Sequence, residues 1–166
     1  MIGYYVDATV GAIHGFTRDR SGKFVSFDAP GAGTGQLYGT IPLGVNVKGE
    51  IVGYYTDSNL VFHGFYRDAL GNVTDLDPAG SVQTFAYSIN DNGDVVGYWM
   101  PSLQAVRGFL REPSGKITSF SAPVSDSNGT MVFSINNGRQ MTGFYYDFNG
   151  ATHGFLWQAG GAEGSK

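Results

Sequence analysis

The chain has 166 residues, of which 26 are Gly, 14% are aromatic and only 14% are charged. The aromatic content excludes a disordered chain, and 6 Pro without a three-residue Gly period exclude collagen. A net charge of −4 without a basic cluster argues against a nucleic-acid partner, zero Cys excludes disulfides, and no apolar run could span a membrane.

In chain order, short apolar runs alternate with Gly, Asn, Asp and Pro, which is typical of strands and turns. The first run, which we label strand b, contains a Gly followed by two aromatic residues. This Gly recurs as Gly3, Gly53, Gly97 and Gly143, at intervals of 50, 44 and 46 residues, and the second copy of the run is Ile51–Tyr55. The next run, strand c, follows ten or eleven residues later. It begins at His14, His63, Arg107 and His153, each followed by Gly-Phe.

Two further runs complete the repeat. Strand d follows a Gly turn and is predicted at residues 24–28, 72–77 and 117–121. Strand a ends at Asn46, Asn90 or Asn136, always seven residues before the next strand-b Gly. Tyr, Phe, Val, Ile and Thr dominate all these runs, and no window has a helical apolar period, so the sequence predicts an all-β protein.

Four strands in about 46 residues match one blade of a β-propeller. The sequence predicts one repeat domain over residues 1–166, with units at about 1–37, 38–81, 82–125 and 126–166. The fold is expected to be β-propeller-like, with about four four-stranded antiparallel blades. The first lacks strand a and the last lacks strand d, which gives fourteen strands. Three arrangements would account for this: a compact ring with two thin blades, a ring formed by two chains, or a piece of a longer array. We expect a compact ring or an assembly and not an open, unclosed series of blades.

The pattern also resembles a known family, the HAF-type extracellular tandem repeats of environmental bacteria. His14-Gly15-Phe16, the segment Phe27–Gly35, and Asn90 with Gly97 carry the resemblance, which covers nearly the whole chain. It implies propeller-like repeats and an extracellular or cell-envelope setting, although the chain itself shows no signal peptide. It implies no activity and no catalytic residues. The third unit departs from the pattern, with Arg107 in place of His, Pro101 in place of Asp and Ser121 in place of Asp.

The candidate ligand-binding residues are the polar and aromatic positions that recur in each unit. They are His14, His63, Arg107 and His153; Tyr5, Tyr55, Trp99 and Tyr145; and Arg18, Arg67 and Arg111. The competing interpretation is structural: each His would bond a neighbouring backbone, and each aromatic pair would pack between blades.

No metal site or cofactor is expected. A metal site with a ring of His ligands would require the three His side chains to converge. Equivalent positions in successive blades lie far apart, so such a site is disfavoured. A calcium site at Asp91-Asn92-Gly93-Asp94 is disfavoured because the equivalent turns do not keep the acidic residues. The glycine-rich stretch Gly31–Gly35 precedes no helix, so it is predicted to be an inter-blade loop and not a phosphate cradle.

The sequence therefore favours a non-enzymatic binding or structural module that recognises a glycan or a protein through weak repeated sites. One alternative is a glycoside-active or lyase-type hydrolase with its site in the propeller channel. The other is an architectural subunit that assembles through its incomplete blades, and self-association is accordingly an expected partnership. No known catalytic motif is present, so an enzyme is the less favoured alternative.

Overall fold

A computed structural model of the protein describes residues 1–122 and 125–158. This part of the chain is all-β with fourteen strands and no helix, as predicted, and so it contains no helix that could cross a membrane. The strands are β1 (Ile2–Val6), β2 (Ile13–Arg18), β3 (Phe24–Phe27), β4 (Gly39–Val45), β5 (Ile51–Thr56), β6 (Phe62–Arg67), β7 (Val73–Asp75), β8 (Gln83–Ile89), β9 (Val95–Ser102), β10 (Ala105–Arg111), β11 (Ile117–Phe120), β12 (Ser125–Ile135), β13 (Gln140–Asp147) and β14 (Thr152–Gln158).

We number the units in chain order: unit 1 is β1–β3, unit 2 is β4–β7, unit 3 is β8–β11 and unit 4 is β12–β14. Within each unit, consecutive strands pair antiparallel. Units 1 and 2 are joined by one parallel contact that the sequence did not predict, between Ile13 of β2 and Gly39 of β4. Gly39 has φ +134°, and a Cβ there would lie 1.8 Å from the Ile13 carbonyl oxygen, so only glycine fits this junction.

Strand a carries a β-bulge at one repeat position. The register against strand b shifts around Leu43, Tyr87 and Phe133, three residues before the closing Asn. Opposite this segment stands the strand-b Gly. A Cβ on Gly97 would lie 1.9 Å from the Phe85 carbonyl oxygen, and Gly53 and Gly143 are equally crowded. The recurrent Gly before the aromatic pair is therefore required by a close backbone approach.

The hydrophobic core lies between consecutive units. We call the two sides of a unit its front and back faces. The front face carries the second residue of the aromatic pair and the Phe of the Gly-Phe pair, which in unit 2 are Tyr55 and Phe65. In the three core clusters, the front face of each unit packs on the back face of the unit before it. Because a sheet alternates its side chains between two faces, units 2 and 3 each contribute to two of these interfaces, one with each face.

The extensive contacts between strands of different units link each unit to the next one in the chain. Unit 1 and unit 4 do not share an extensive contact within the described residues. Over residues 1–122 and 125–158 the four units thus form an open series, and the compact single-chain ring, one of the arrangements that the sequence left open, is not seen.

Candidate functional site

The recurrent His residues lie at the start of strand c, directly opposite the second aromatic residue of strand b. The cross-strand pairs are Tyr5 with His14, Tyr55 with His63, and Tyr145 with His153. Residues opposite each other on one sheet face have Cβ atoms about 5 Å apart, so their rings can stack. The ring centroids are 5.2, 5.0 and 5.1 Å apart in the three units.

Each imidazole in units 1 and 2 bonds an aspartate at the end of strand d, and not the backbone as the structural interpretation expected. His14 Nδ1 lies 2.9 Å from Asp28 Oδ2, and His63 Nδ1 lies 2.6 Å from Asp77 Oδ2. The Gly64 N–H also donates to Asp77 Oδ1 at 3.1 Å. These hydrogen bonds connect the residue that follows strand d to the start of strand c.

A second carboxylate faces the other imidazole nitrogen. Nε2 lies 3.6 Å from Asp7 in unit 1, 3.7 Å from Asp57 in unit 2 and 3.0 Å from Asp147 in unit 4. These aspartates hold the turn between strands b and c by accepting backbone N–H groups. For Asp7 the N–H groups of Val10 and Thr9 are the main reason that the carboxyl pKa is lowered. In units 1 and 2 the imidazole is therefore enclosed by two carboxylates and one tyrosine ring, whereas in unit 4 His153 lies between Asp147 and the Tyr145 ring.

The aspartate partners were missed among the sequence candidates, although a signal existed. Unit 3 replaces the His and both aspartates together, with Arg107, Pro101 and Ser121. Joint loss in one unit indicates that the three residues act as one cluster. In unit 3 the Trp99 Nε1–H instead donates to Ser119 Oγ at 2.9 Å. The side chain of Arg107 is exposed and forms no hydrogen bond or ion pair with any other described residue.

The candidate arginines lie at the far end of strand c, four residues or roughly 13 Å from the His position. Their guanidinium groups pack on aromatic rings: Arg18 on Phe24, Arg67 on Phe27 and Arg111 on Tyr66, at 5.5, 4.8 and 5.0 Å. The last two rings belong to the preceding unit. The structure therefore does not bring the His and Arg candidates into one site, and Arg67 and Arg111 contribute to the unit interfaces.

Burial separates the copies of the cluster. Tyr55 is only 4% exposed and packs against the loop at Gly31, whereas Tyr5 is 44% exposed. The Tyr55 hydroxyl donates to Asp75 at 3.1 Å, and burial, followed by the Asp75 charge, raises the pKa of Tyr55. Trp99 is buried like Tyr55, and Tyr145 is half-buried. Only unit 1 presents the aromatic member of the cluster openly.

The acidic turn after strand a is occupied by protein partners. The guanidinium of Arg139 in unit 4 donates to both oxygens of Asp94, at 2.6 and 2.9 Å, and the Asp94 side chain is fully buried. Asp91 Oδ1 accepts the Val47 N–H, and Asp91 Oδ2 accepts the Asn137 amide. The carboxylates of Asp91 and Asp94 therefore join consecutive units. Across the described residues, no group of three side chains that could hold a metal ion is found.

A cleft of about 350 Å³ lies between units 3 and 4, bordered by Glu112, Arg139, Phe120 and Trp157. None of the His residues lines it. Comparison of the chain with protein-family models, with curated proteins and with solved structures found no match in any of the three.

Proposed function

We propose that this chain is a non-enzymatic binding or structural module, with its recognition surface on the front face of unit 1. The four units, of which units 1 and 2 share one sheet, would be successive blades of a propeller-like array. The resemblance to HAF-type repeats supports this arrangement and an extracellular or cell-envelope setting. The regular front-to-back packing of consecutive units supports the blade interpretation.

The observation that carries the proposal is that the same surface is covered in unit 2 and uncovered in unit 1. In unit 2, Tyr55 and Phe65 are buried against unit 1. In unit 1, the equivalent Tyr5 is exposed, and so is Phe24, at 60%. Tyrosine and arginine are among the residues most enriched at binding hot spots, and this face presents both Tyr5 and Arg18.

The ligand class is a glycan or a protein. The exposed Tyr5 ring lies beside His14 and Asp28, and the exposed Phe24 ring lies beside Arg18 at the other end of β2. Each ring therefore offers an apolar face next to hydrogen-bonding groups, and an extended ligand along the front face would contact both. The equivalent aromatic residues of units 2 and 3, Tyr55 and Trp99, are buried and cannot contact a ligand. Recognition would therefore be concentrated at unit 1 and not spread equally over all units, as the sequence suggested.

The test is a glycan and peptide array probed with the wild-type chain and with the double variant Tyr5→Ala/Phe24→Ala. We expect the double variant to lose at least about tenfold in affinity for any ligand found, because it removes two contact rings. Phe148→Ala is the matched control, since Phe148 is an exposed aromatic residue on the β13–β14 turn of unit 4. No ligand, or a ligand that the control loses and the double variant retains, would overturn the proposal.

A hydrolase is the second candidate, because His63 meets a carboxylate at 2.6 Å, as in a general-base dyad. Two features weigh against it: both nitrogens of His63 face carboxylates, and the buried Tyr55 stacks on its ring. Hydrolysis of a polysaccharide panel that is abolished by His63→Gln, in a variant that remains folded, would favour the enzyme instead.

A further inference from the structure

Strand β1 has a free edge where every other strand b is paired. β5, β9 and β13 each have strand a on one side and strand c on the other. β1 is paired only with β2, so its second edge has no partner among the described residues. Unpaired backbone N–H and C=O groups along such an edge form a template for another strand.

The composition of β1 leaves this edge unprotected. Natural edge strands are usually short or carry charged residues or Pro, which discourage pairing. The strand-d edges follow that rule: β3, β7 and β11 have only four, three and four residues, and β7 contains Asp75. β1 has five residues, Ile-Gly-Tyr-Tyr-Val, with neither a charge nor a Pro.

The side chains of β1 match those that receive strand a elsewhere. In unit 3 the first ring of the aromatic pair, Tyr98, packs 4.9 Å from Phe85 of strand a. In unit 4, Phe144 packs 5.5 Å from Phe133 of strand a. The equivalent residue of unit 1, Tyr4, is 53% exposed. Gly3 also lies where Gly53, Gly97 and Gly143 accommodate the close carbonyl of strand a.

We propose that the free edge of β1 binds an extended polypeptide segment of the strand-a type, antiparallel to Ile2–Val6. The three strands a share the pattern Thr, apolar, small or apolar, apolar, Gly or Ser, Val or Ile, Asn, at 40–46, 84–90 and 130–136. Pairing of Thr40 with Tyr55 and of Val45 with Ile51 sets the register, with the equivalent of Thr40 opposite Tyr5. This inference rests on the proposed function, because it specifies the protein ligand as a single strand added to a sheet.

The test uses a synthetic peptide with the sequence of residues 83–92, titrated into the isotope-labelled full chain and followed by NMR. We expect saturable shifts at the amides of Ile2–Val6 and slower hydrogen exchange there. Two further peptides are N-methylated only on the N-terminal side of the bulge at Tyr87, one series at residues 84 and 86 and the other at residues 83 and 85. Only the series whose N–H groups point to β1 should lose binding, because only that series removes ladder hydrogen bonds.

Tyr4→Ser should weaken the peptide about fivefold to tenfold, since it removes the ring on which the peptide Phe would pack. Tyr4 is exposed, so this variant should remain folded. Val25→Ser on β3 is the matched control and should bind the peptide normally. Absence of shifts at Ile2–Val6, shifts confined to another strand, or equal effects of both N-methyl series would overturn the inference. If a glycan or protein ligand requires Tyr5 and Phe24 but the peptide does not bind, this inference is overturned and the proposed function is retained.

Discussion

Units 1 and 2 contain nearly the same strands b, c and d and the same His–Asp–Tyr cluster, yet the cluster has different surroundings. His14 and His63 have matching carboxylate partners and matching tyrosine stacking. Tyr55, however, is covered by unit 1, whereas no described residue covers Tyr5 to the same extent. The same repeated residue therefore stabilises the fold where a preceding unit covers it and offers a binding surface where no preceding unit does.

The largest expected difference concerns the Phe of strand c. Phe65→Ala should lower the free energy of unfolding by about 3–5 kcal/mol, because it leaves a cavity between units 1 and 2. Phe16→Ala, at the equivalent half-buried position of unit 1, should cost about 1 kcal/mol, because folding removes less of the apolar surface of Phe16 from water. Urea denaturation of both variants measures the difference. Equal losses would show that unit 1 is covered in solution.

The asparagines that close strand a should show a smaller difference. The buried Asn90 amide donates to Asp94 Oδ2 at 3.0 Å and to the Asn136 carbonyl at 3.1 Å. Asn90→Ala should therefore cost about 2–3 kcal/mol, since buried partners lose their hydrogen bonds. Asn136→Ala should cost about 1 kcal/mol or less, because Asn136 is exposed and its amide bonds only Gln140 in its own unit. The same denaturation measurement checks both, and a reversed order would contradict this interpretation.

Much of the fold could be predicted because the repeat itself marks the strands. Strand b of unit 2 was expected to include the run Ile51–Tyr55, and β5 extends one residue further, to Thr56. Strand d was expected at 72–77, but β7 ends at Asp75 because Asp77 turns to bond His63 and Gly64. The parallel contact at Gly39 could not be predicted, since it depends on where β3 ends relative to β2 and not on a residue pattern.

The candidate site was predicted less well, for a physical reason. The His and Tyr positions were found from recurrence, and the structure pairs them. Recurrence alone does not tell which side chains meet, so the fourteen-residue separation between His63 and Asp77 was not recognised as a contact. The arginines recur equally well, yet Arg67 and Arg111 pack on rings of the preceding unit and contribute to the unit interfaces. Only a comparison of which residues unit 3 loses together distinguishes the two sets.

The buried threonine at the start of strand a has a hydrogen-bond partner in unit 2 but not in unit 3, so its contribution to stability should differ between the two units. Thr40 Oγ1 accepts the Ala29 N–H at 2.9 Å, whereas Thr84 Oγ1 has no partner, because the equivalent of Ala29 is Pro78, which has no N–H. Thr40→Val should cost about 1–2 kcal/mol by leaving a buried N–H unpaired. Thr84→Val should be neutral or slightly stabilising, since it removes an unpaired hydroxyl. Thermal unfolding of both variants measures this, and a clear loss in Thr84→Val would contradict it.

The smallest difference between units 1 and 2 should occur in their response to acid. Asp7 and Asp57 have lowered pKa values, mainly because Asp7 accepts the Val10 N–H and Asp57 accepts the Val61 N–H, each within its own turn. A carboxyl whose pKa is lower in the folded than in the unfolded state, where it is about 3.9, stabilises the fold above that pH. Its contribution is lost as the pH falls through the folded pKa, so the urea midpoint should decline below about pH 4. Asp7→Asn and Asp57→Asn should flatten that decline equally, because neither turn depends on the neighbouring unit. A much larger flattening in Asp57→Asn would show that burial of Tyr55 by unit 1 also controls the carboxylate beside it.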